Sequence, residues 1–294
     1  PPCLPAPRQG DKARNKIGEI ILKSVRSQTI KSVKSKTESV KSKKIIISGG
    51  GTGGHIFPAI AIANALKAID PKTEILFVGA KGRMEMEKVP AAGYKIIGLD
   101  IQGIQRKSIW KNVMCPVKLL MSVRESVKII KDFKPDAAVE VGGSASGPLL
   151  YAASIRNVPY LIQEQNSYAG ITNKWLGAKA KKICVAFDGM EKFFPFDRII
   201  KTGNPIRRDS VNIAGKHMQA LELFKLSTFK KTVLVTGGSL GAGTLNKSIM
   251  AALEKLVAAD VQVIWQTGKY YYKGIIEKLG EDYHPNIRIT EFLS

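Results

Sequence analysis

The sequence is poor in cysteine and in acidic residues, and it contains no long apolar run. Its three cysteines, Cys3, Cys115 and Cys184, are widely spaced and form no Cys-x-x-Cys pair. This pattern argues against a disulfide framework or a zinc site and fits a reducing cytosol. Uncharged stretches such as Val141–Ile155 are interrupted by glycines and serines. No apolar stretch therefore approaches the ~20 residues that a membrane-spanning helix needs.

Basic residues outnumber acidic ones by 46 to 24, which gives a formal net charge of +22. The first 44 positions hold twelve basic and three acidic residues, in a stretch rich in serine, lysine and valine. Such a segment buries too little apolar surface to offset its ordering entropy, so residues 1–43 are predicted to be a disordered basic tail. An electrostatic arm for acidic partners is the alternative. No nucleic-acid-binding module is recognisable, and nucleic acid is not an expected partner.

From Lys44 onward, short apolar strands alternate with helical stretches, which is the pattern of a parallel sheet covered on both faces. This pattern predicts an α/β domain over residues 44–203, a hinge and linker over 204–230, and a second domain over 231–294. The second domain has only three predicted strands, whereas a doubly wound domain usually has about five or six. We therefore expect it to be incomplete. The predicted strands are Ile45–Ser48, Ile75–Val78, Lys95–Leu99, Ala137–Val141, Tyr160–Ile162, Lys182–Val185, Ile199–Thr202, Thr232–Thr236, Val261–Gln266 and Ile287–Thr290. The predicted helices are Ile56–Ala68, Met84–Ala91, Ile109–Phe133, Gly147–Arg156, Thr244–Ala258 and Tyr270–Leu279.

Three glycine-rich turns each follow a predicted strand and open a helix. The first, GGGTGG over residues 49–54, has the G-x-G-x-x-G spacing of a dinucleotide-binding turn. No acidic residue ends the second strand, which disfavours NAD, whereas Lys81 or Arg83 leaves NADP open. The other two turns are VGGSASGP over residues 141–148 and TGGSLGAGTLN over residues 236–246. Three such turns at the carboxyl ends of strands favour a cleft that binds a nucleotide or another anion.

Several multi-residue motifs occur in the order found in one family of glycosyltransferases. They are GGGTGGHIFPAIAIANAL, GGSASGP, QEQNSYAGITNKWL, TGNPIRRD, GGSLGAGTLN and ITEFL. From about Lys44 to Ser294 the chain resembles the MurG family, the UDP-N-acetylglucosamine: undecaprenyl-diphospho-muramoylpentapeptide N-acetylglucosaminyltransferases. The resemblance implies a GT-B architecture of two Rossmann-like doubly wound domains, the second one truncated here. It also implies inverting transfer of N-acetylglucosamine from UDP-N-acetylglucosamine (UDP-GlcNAc) to the C4 hydroxyl of lipid I, which makes lipid II for peptidoglycan synthesis.

The resemblance assigns roles to individual residues. His55 follows the first glycine turn and is the candidate general base, a role that suits an imidazole with a near-neutral pKa. The residues expected to contact UDP-GlcNAc or its diphosphate are Thr52, Gly53, Gly54, Asn166, Arg207, Ser239 and Leu293. Structural roles are the alternatives: His55 in orienting the loop, Asn166 in capping a helix, Arg207 in pairing with Asp209, and Ser239 in forming a turn.

The sequence departs from the family pattern at Gln163, where the family usually has histidine, and at Ser144, where it usually has tyrosine. No Asp-x-Asp pair occurs, and Glu85 and Glu87 are interpreted as residues of an exposed helix. We expect neither a metal nor a cofactor, because helix dipoles and basic groups can stabilise the departing UDP. The alternatives to an active transferase are a truncated, inactive module that binds lipid or acceptor and an NADP-dependent oxidoreductase.

Residues 103–128 mix apolar and basic side chains in a way typical of a membrane-surface segment. Ile104, Lys107, Trp110 and Lys111 are predicted to contact an anionic membrane surface. Membrane contact follows from the resemblance, because the implied acceptor carries an undecaprenyl lipid. A core-facing helix with a solvated basic edge is the alternative. The implied location is peripheral, on the cytoplasmic face of the bacterial cell membrane.

Overall fold

The chain divides into two compact units, Pro1–Val211 and Asn212–Ser294. The computed structural model describes residues 15–23, 42–101, 115–206, 214–238, 240–280 and 282–293. Both units are α/β structures built on a parallel sheet, which confirms the fold class predicted from the strand–helix alternation. No helix within the described ranges is long and apolar enough to cross a membrane.

The first unit is built around a sheet of seven parallel strands in the order β3-β2-β1-β4-β5-β6-β7. Its strands are β1 Lys44–Ser48, β2 Glu74–Ala80, β3 Lys95–Leu99, β4 Ala137–Glu140, β5 Tyr160–Glu164, β6 Lys182–Val185 and β7 Ile199–Lys201. Its helices are α1 over residues 15–23, α2 Gly53–Ile69, α3 Glu85–Ala91, α4 Cys115–Phe133, α5 Ser146–Ile155 and α6 Ile171–Gly177. Two short 3-10 turns, Met190–Lys192 and Phe196–Arg198, precede β7.

Strand β1 shows why its sequence is an unbroken apolar run. Successive side chains of a strand point to opposite faces of the sheet. Ile46 packs in the apolar cluster that contains residues of α4 and α5, whereas Ile45 and Ile47 pack in the cluster that contains residues of α1 and α2. Because helices cover both faces, every position of the strand is favoured to be apolar.

Successive strands are added on one side of β1 and then on the other, so the strand order of the parallel sheet switches at β1. Strands β2 and β3 lie on one side of β1, and β4 to β7 follow on the other side. In open α/β sheets a crevice forms outside the carboxyl ends of the strands at such a switch point, and ligands bind there. The turns that follow β1 and β4 are the first two glycine-rich turns of the sequence, so the topology places both at this crevice.

Helix α1 corrects the prediction for the amino-terminal segment. Ile17, Ile21 and Leu22 are buried in the same apolar cluster as Ile45 and Ile47 of β1. A Cβ on Gly18 would lie 3.0 Å from Cδ1 of Ile69, so α1 also packs closely on α2. The prediction of a disordered tail is therefore wrong for residues 15–23. The rest of residues 1–43, except 42 and 43, lies outside the described residues.

The second unit is smaller and has three parallel strands in the order β10-β9-β8. Its elements are α7 Lys216–Leu223, β8 Thr232–Thr236, α8 Gly243–Ala258, β9 Gln262–Gln266, α9 Tyr272–Leu279 and β10 Ile287–Thr290. Its core contains Val235, Leu253, Val263 and Trp265.

The predicted linker over residues 204–230 is wrong for its carboxyl-terminal part, which folds with the second unit. Arg288 donates hydrogen bonds to the carbonyl oxygens of Phe224 and Lys225, at 2.7 and 2.9 Å. The backbone N–H of Ser227 donates to Oε1 of Gln262 at 2.6 Å. These bonds tie the segment after α7 to β9 and β10.

Candidate active site

The glycine-rich turns after β1 and β4 touch each other at the switch point. The backbone N–H of Gly50 donates to the carbonyl oxygen of Gly142 at 3.0 Å. Gly143 has a φ of +108°, and a Cβ placed on it would lie 2.7 Å from the carbonyl oxygen of Gly50. A side chain at Gly143 would thus be strained by the backbone conformation and blocked by the neighbouring turn. Glycine is needed here so that the two turns can pack together.

His55 lies in the first turn of α2, between the two glycine turns. Its Nδ1 is 3.1 Å from the carbonyl oxygen of Gly50. A Cβ on Gly142 would be only 2.5 Å from Cδ2 of the imidazole, so the ring lies directly on the Gly142 backbone. A carbonyl oxygen can only accept a hydrogen bond, so Nδ1 carries the proton and Nε2 of the neutral ring keeps its lone pair.

Glu85 lies beneath the first glycine turn and fixes its backbone. The carboxylate accepts a hydrogen bond from the N–H of Gly51 at 2.8 Å and another from the N–H of Ala80 at 3.0 Å. Cβ atoms on Gly50 and Gly79 would both collide with this side chain. The interpretation of Glu85 as part of an exposed helix is wrong, since the residue is 1% exposed, whereas Glu87 is exposed.

Glu164 organises the loop that follows β5. One carboxylate oxygen accepts from the backbone N–H and the side-chain amide of Asn166, both at 3.0 Å. The other accepts from the N–H of Gly170 at 3.1 Å and from the amide of Asn173 at 2.9 Å. Four hydrogen-bond donors therefore satisfy the buried carboxylate of Glu164. Its two bonds to Asn166 hold that residue at the edge of the cavity.

A cavity of about 260 Å³ lies between these turns and the β5 loop. His55, Glu140, Gly142, Gln163 and Asn166 are among its lining residues. Burial and, to a lesser extent, the nearby charge of Glu164 together raise the pKa of Glu140 from 4.5 to about 8. The N–H of Gly142 and the hydroxyl of Ser146 oppose that shift, because they hydrogen-bond the carboxyl of Glu140.

The third glycine turn follows β8 and opens α8, as the strand-to-helix pattern predicts. Asn246 accepts a hydrogen bond from Nε1 of the buried Trp265 at 3.0 Å and donates to the carbonyl oxygen of Thr267 at 2.8 Å. The side-chain amide of Gln266 donates to the carbonyl oxygen of Gly238 at 3.0 Å. Side chains from α8 and β9 therefore hold the turn from below, and the amino-terminal end of α8 follows it.

The predicted site residues fall into four groups. His55 and Asn166 line the cavity together. Thr52, Gly53 and Gly54 form the amino-terminal end of α2, where Thr52 and Gly54 are exposed. Leu293 follows β10 in the second unit and is half-buried. Arg207 and Ser239, and the membrane residues Ile104, Lys107, Trp110 and Lys111, lie outside the described residues.

Sequence reasoning missed three acidic residues of this site, Glu85, Glu140 and Glu164. Glu164 belongs to the quoted QEQN segment, and Glu140 directly precedes the second glycine turn. A carboxylate within an otherwise apolar strand, such as AAVE or YLIQE, was the available signal, because a buried charge needs partners or a function. The signal for Glu85 is weaker, because one glutamate on a short helix is usually solvated.

Known proteins resemble both units. Residues 45–185 match the glycosyltransferase family 28 N-terminal domain, and residues 232–294 match the glycosyltransferase family 28 C-terminal domain. A Parabacteroides distasonis protein named UDP-N-acetylglucosamine--N-acetylmuramyl-(pentapeptide) pyrophosphoryl-undecaprenol N-acetylglucosamine transferase is 61% identical over 233 residues, which is 79% of this chain and 63% of that protein. A Bacteroides thetaiotaomicron protein of the same name is 56% identical over 257 residues, 86% of this chain and 68% of that protein.

Solved structures agree with these matches. The crystal structure of Acinetobacter baumannii MurG superposes with a TM-score of 0.59 at 29% identity, over 86% of this chain and 69% of that chain. A UDP-N-acetylglucosamine 2-epimerase superposes with a TM-score of 0.60 over the same shares, but at 15% identity this likeness shows the fold alone.

Two parallel α/β units with glycine turns at their strand ends, matched by these two domains, define a glycosyltransferase of the GT-B class. The chain spans 63% of the length of the Parabacteroides relative and 68% of that of the Bacteroides relative. It belongs to glycosyltransferase family 28 and, within it, to the MurG family. That membership decides against the oxidoreductase alternative.

Proposed function

We propose that the protein transfers N-acetylglucosamine from UDP-GlcNAc to the C4 hydroxyl of undecaprenyl-diphospho-N-acetylmuramoyl-pentapeptide, with inversion at the anomeric carbon. The observation that carries the proposal is the position of His55, which lines a cavity at the switch point of the first unit. The names and identities of the curated relatives support the choice of donor and acceptor.

His55 acts as the general base in this proposal. The acceptor hydroxyl must lose a proton as its oxygen attacks the anomeric carbon. The Gly50 carbonyl holds the proton on Nδ1, so the Nε2 lone pair is left to receive the proton of the hydroxyl. The Gly142 backbone beneath the ring limits its rotation, which keeps this lone pair oriented toward the reacting groups.

The diphosphate of the donor is bound by helix N-termini and by a guanidinium. The amino-terminal end of α2, at Thr52, Gly53 and Gly54, carries N–H groups that the helix itself does not use, and such groups attract anions. Arg207 and Ser239 contact the diphosphate, and Asn166 and Leu293 contact the rest of the donor. The departing UDP is stabilised by these groups without a metal or cofactor. Unchanged turnover in the presence of a chelator is the expected result.

The protein acts at an anionic membrane surface as a peripheral protein on the cytoplasmic side. Helix α4 supports this part of the proposal. Its first turns expose the apolar residues Val117, Leu119, Leu120 and Met121, each of them about half accessible or more. Lys118, Arg124 and Lys128 lie on the same helix. Apolar side chains interleaved with basic ones suit contact with anionic lipid headgroups. Sedimentation with phosphatidylglycerol vesicles, but not with phosphatidylcholine vesicles, is expected, and replacing Leu120 by aspartate is expected to reduce it.

A transfer assay with matched histidine variants tests the reaction. The protein expressed from its gene is incubated with radiolabelled UDP-GlcNAc and a short-chain lipid I analogue, and the labelled product is counted. His55→Gln is expected to lower kcat roughly 10²- to 10⁴-fold, the usual contribution of a general base. His217→Gln, on the exposed face of α7, is the control and is expected to leave kcat unchanged. Equal kcat values for the two variants would remove His55 from the mechanism.

A further inference from the structure

Two buried side-chain oxygens, both in residues that line the cavity, have no partner within the described part of the chain. They are Oε2 of Glu140 and Oε1 of Gln163, and both residues are 1% exposed. Buried polar atoms are nearly always hydrogen-bonded, because leaving one unpaired destabilises the folded state. Two such atoms on neighbouring strands, both in residues that line one cavity, indicate that the cavity is built for a ligand.

The other polar groups around these atoms are already used. The carboxyl of Glu140 interacts with the N–H of Gly142 and the hydroxyl of Ser146, and the amide nitrogen of Gln163 donates to the Gly203 carbonyl at 3.5 Å. Glu164 accepts four hydrogen bonds. The spare hydrogen-bonding capacity of these three side chains therefore lies at Glu140 and Gln163. The amide oxygen of Gln163 accepts a hydrogen bond, whereas the carboxyl of Glu140 in its protonated form can donate one. A ligand with hydroxyl groups, which both donate and accept, complements these two side chains.

The charge of the cavity argues against an anion. Of the described residues that line it, none is lysine or arginine, whereas two are glutamates. Burial raises the pKa of Glu140 to about 8, so this carboxyl is largely protonated at neutral pH and does not demand a cation either. Anions are favoured instead at the exposed amino-terminal end of α2, Thr52 to Gly54, whose residues are not among those that line the cavity. A volume of about 260 Å³ suits a single small ring better than a nucleotide.

We propose that Glu140 and Gln163 are specificity-determining residues that form hydrogen bonds with the hydroxyl and amide groups of an uncharged sugar ring in this cavity. The inference rests on the proposed function, in which the ring is that of the acceptor, placed beside Nε2 of His55. The diphosphate of either substrate lies outside the cavity. Recognition through these two side chains also rejects an analogue that lacks the hydroxyl or amide, because the buried atoms would then remain unpaired.

Isosteric apolar variants separate a ligand-binding role from a structural one. Glu140→Met and Gln163→Met keep the side-chain length but remove the unpaired atoms. Thr73→Val is the matched control, because Oγ1 of Thr73 is also buried and unpaired but the residue does not line this cavity. The probe is the methyl glycoside of N-acetylmuramoyl-L-alaninamide, an uncharged acceptor fragment, and inorganic pyrophosphate serves as the anionic probe. Binding is followed by the NMR line of His55 Hε1, which is assignable because the chain has only three histidines.

The sugar probe is expected to shift the His55 line in the parent protein and in Thr73→Val with the same Kd. Each methionine variant is expected to raise that Kd about 3- to 10-fold, the usual worth of one hydrogen bond. Its thermal midpoint is expected to stay level or rise, because an unpaired buried group has been removed. Pyrophosphate is expected to bind the parent and both methionine variants alike.

Three results would overturn the inference: no shift with the sugar probe, an unchanged Kd in both methionine variants, or pyrophosphate binding that depends on Glu140 or Gln163. A lower thermal midpoint in both variants would also count against it, since it would show that the two groups have structural partners. Failure of the proposed function is seen separately, in the transfer assay. A protein that turns over lipid I but binds the sugar probe equally in all variants refutes only the role of Glu140 and Gln163.

Discussion

Replacing Glu140 by glutamine is expected to remove a pH-dependent loss of stability from the first unit. The carboxyl is 1% exposed at the end of β4 and is close enough to Glu164 to feel its charge. Glutamine has nearly the same shape, keeps one carbonyl acceptor for Gly142 and Ser146, and does not titrate. The substitution therefore removes the proton equilibrium with little change in packing.

The size of the effect follows from the pKa of Glu140. Burial raises this pKa from 4.5 to about 8. The folded chain thus holds the proton more tightly than the unfolded chain, so the free energy of unfolding falls as pH rises from 4.5 through 8. At about 1.4 kcal/mol per pKa unit, the loss between pH 5 and pH 8 is roughly 3 kcal/mol. Below pH 4.5 the carboxyl is protonated in both states and contributes no pH dependence.

Urea denaturation at pH 5 and pH 8 measures this loss. Circular dichroism follows the whole chain, and fluorescence of the buried Trp265 helps to identify the transition of the second unit. Glu140→Gln is expected to be about 3 kcal/mol less sensitive to this pH change than the parent. Glu191→Gln, an exposed site, is the control and is expected to follow the parent. Parallel pH curves for Glu140→Gln and the parent would refute the reasoning, because they would show that the group titrates alike in the folded and unfolded chains.

Three further substitutions are expected to lower stability, each for a different physical reason. Gly142→Ala places a Cβ 2.5 Å from the His55 ring at a φ of +111°; a loss of about 1–3 kcal/mol in denaturation and a shifted His55 NMR line are expected. Glu85→Ala leaves the N–H groups of Gly51 and Ala80 without their acceptor. The free energy of unfolding, measured by urea denaturation, is expected to fall by roughly 3 kcal/mol. Ile21→Ala empties a buried position of α1, and a loss of about 2–4 kcal/mol in thermal and urea unfolding is expected.

Each of these substitutions has a matched control in the chain. Gly274→Ala, at a helical position with open space around it, is expected to raise the free energy of unfolding by about 0.5–1 kcal/mol. If it instead lowered the free energy of unfolding as much as Gly142→Ala does, the close contact between Gly142 and His55 would be contradicted. Glu87→Ala on the exposed face of α3 is expected to be nearly neutral. Ile69→Ala, at a position 44% exposed, is expected to cost clearly less than Ile21→Ala. Equal costs at the two isoleucines would contradict the packing of α1.

The strands were predictable because each is a short apolar run with clear ends. Lys95–Leu99, Lys182–Val185, Thr232–Thr236 and Ile287–Thr290 begin and end at the predicted residues. Lys182–Val185 is buried along most of its length, whereas Thr232–Thr236 is largely exposed, so the apolar run itself and not complete burial made these strands recognisable. Helix ends are less sharply encoded, and the predicted helix over Ile109–Phe133 is described only from Cys115 onward.

Helix α1 was not predicted, because the serine- and lysine-rich composition of residues 1–43 indicated disorder more strongly than the spacing of their apolar residues indicated a helix. Ile17 and Ile21 have the i, i+4 spacing of one helix face, but they stand in a segment dominated by serine and lysine. A helix of this length is not stable by itself in water, so its formation depends on the sheet face that it covers. The chain pattern contains no local signal for that distant partner.

The candidate site was predictable where a motif lies on one continuous stretch. His55 and Asn166 follow local motifs and do line one cavity. Glu85 and Glu140 were not assigned, because their roles come from groups far apart in sequence. The partner of Glu85 is the N–H of Gly51, 34 positions away, and the cavity beside Glu140 exists only after β4 and β5 pair. A carboxylate in a sequence does not show whether it will be solvated or surrounded by donors.

The contact between the first two glycine turns has a consequence for gene recombination. The Gly50 N–H bonded to the Gly142 carbonyl, and Gly143 lying against Gly50, make one interlocked unit from two distant parts of the chain. A crossover between codons 54 and 141 would join a first turn from one parent to a second turn from another. Chimeras of this kind should fold only when both parents share the same backbone at both turns. Crossovers beyond codon 148 keep the pair together and are the better choice for shuffling specificities between related transferases.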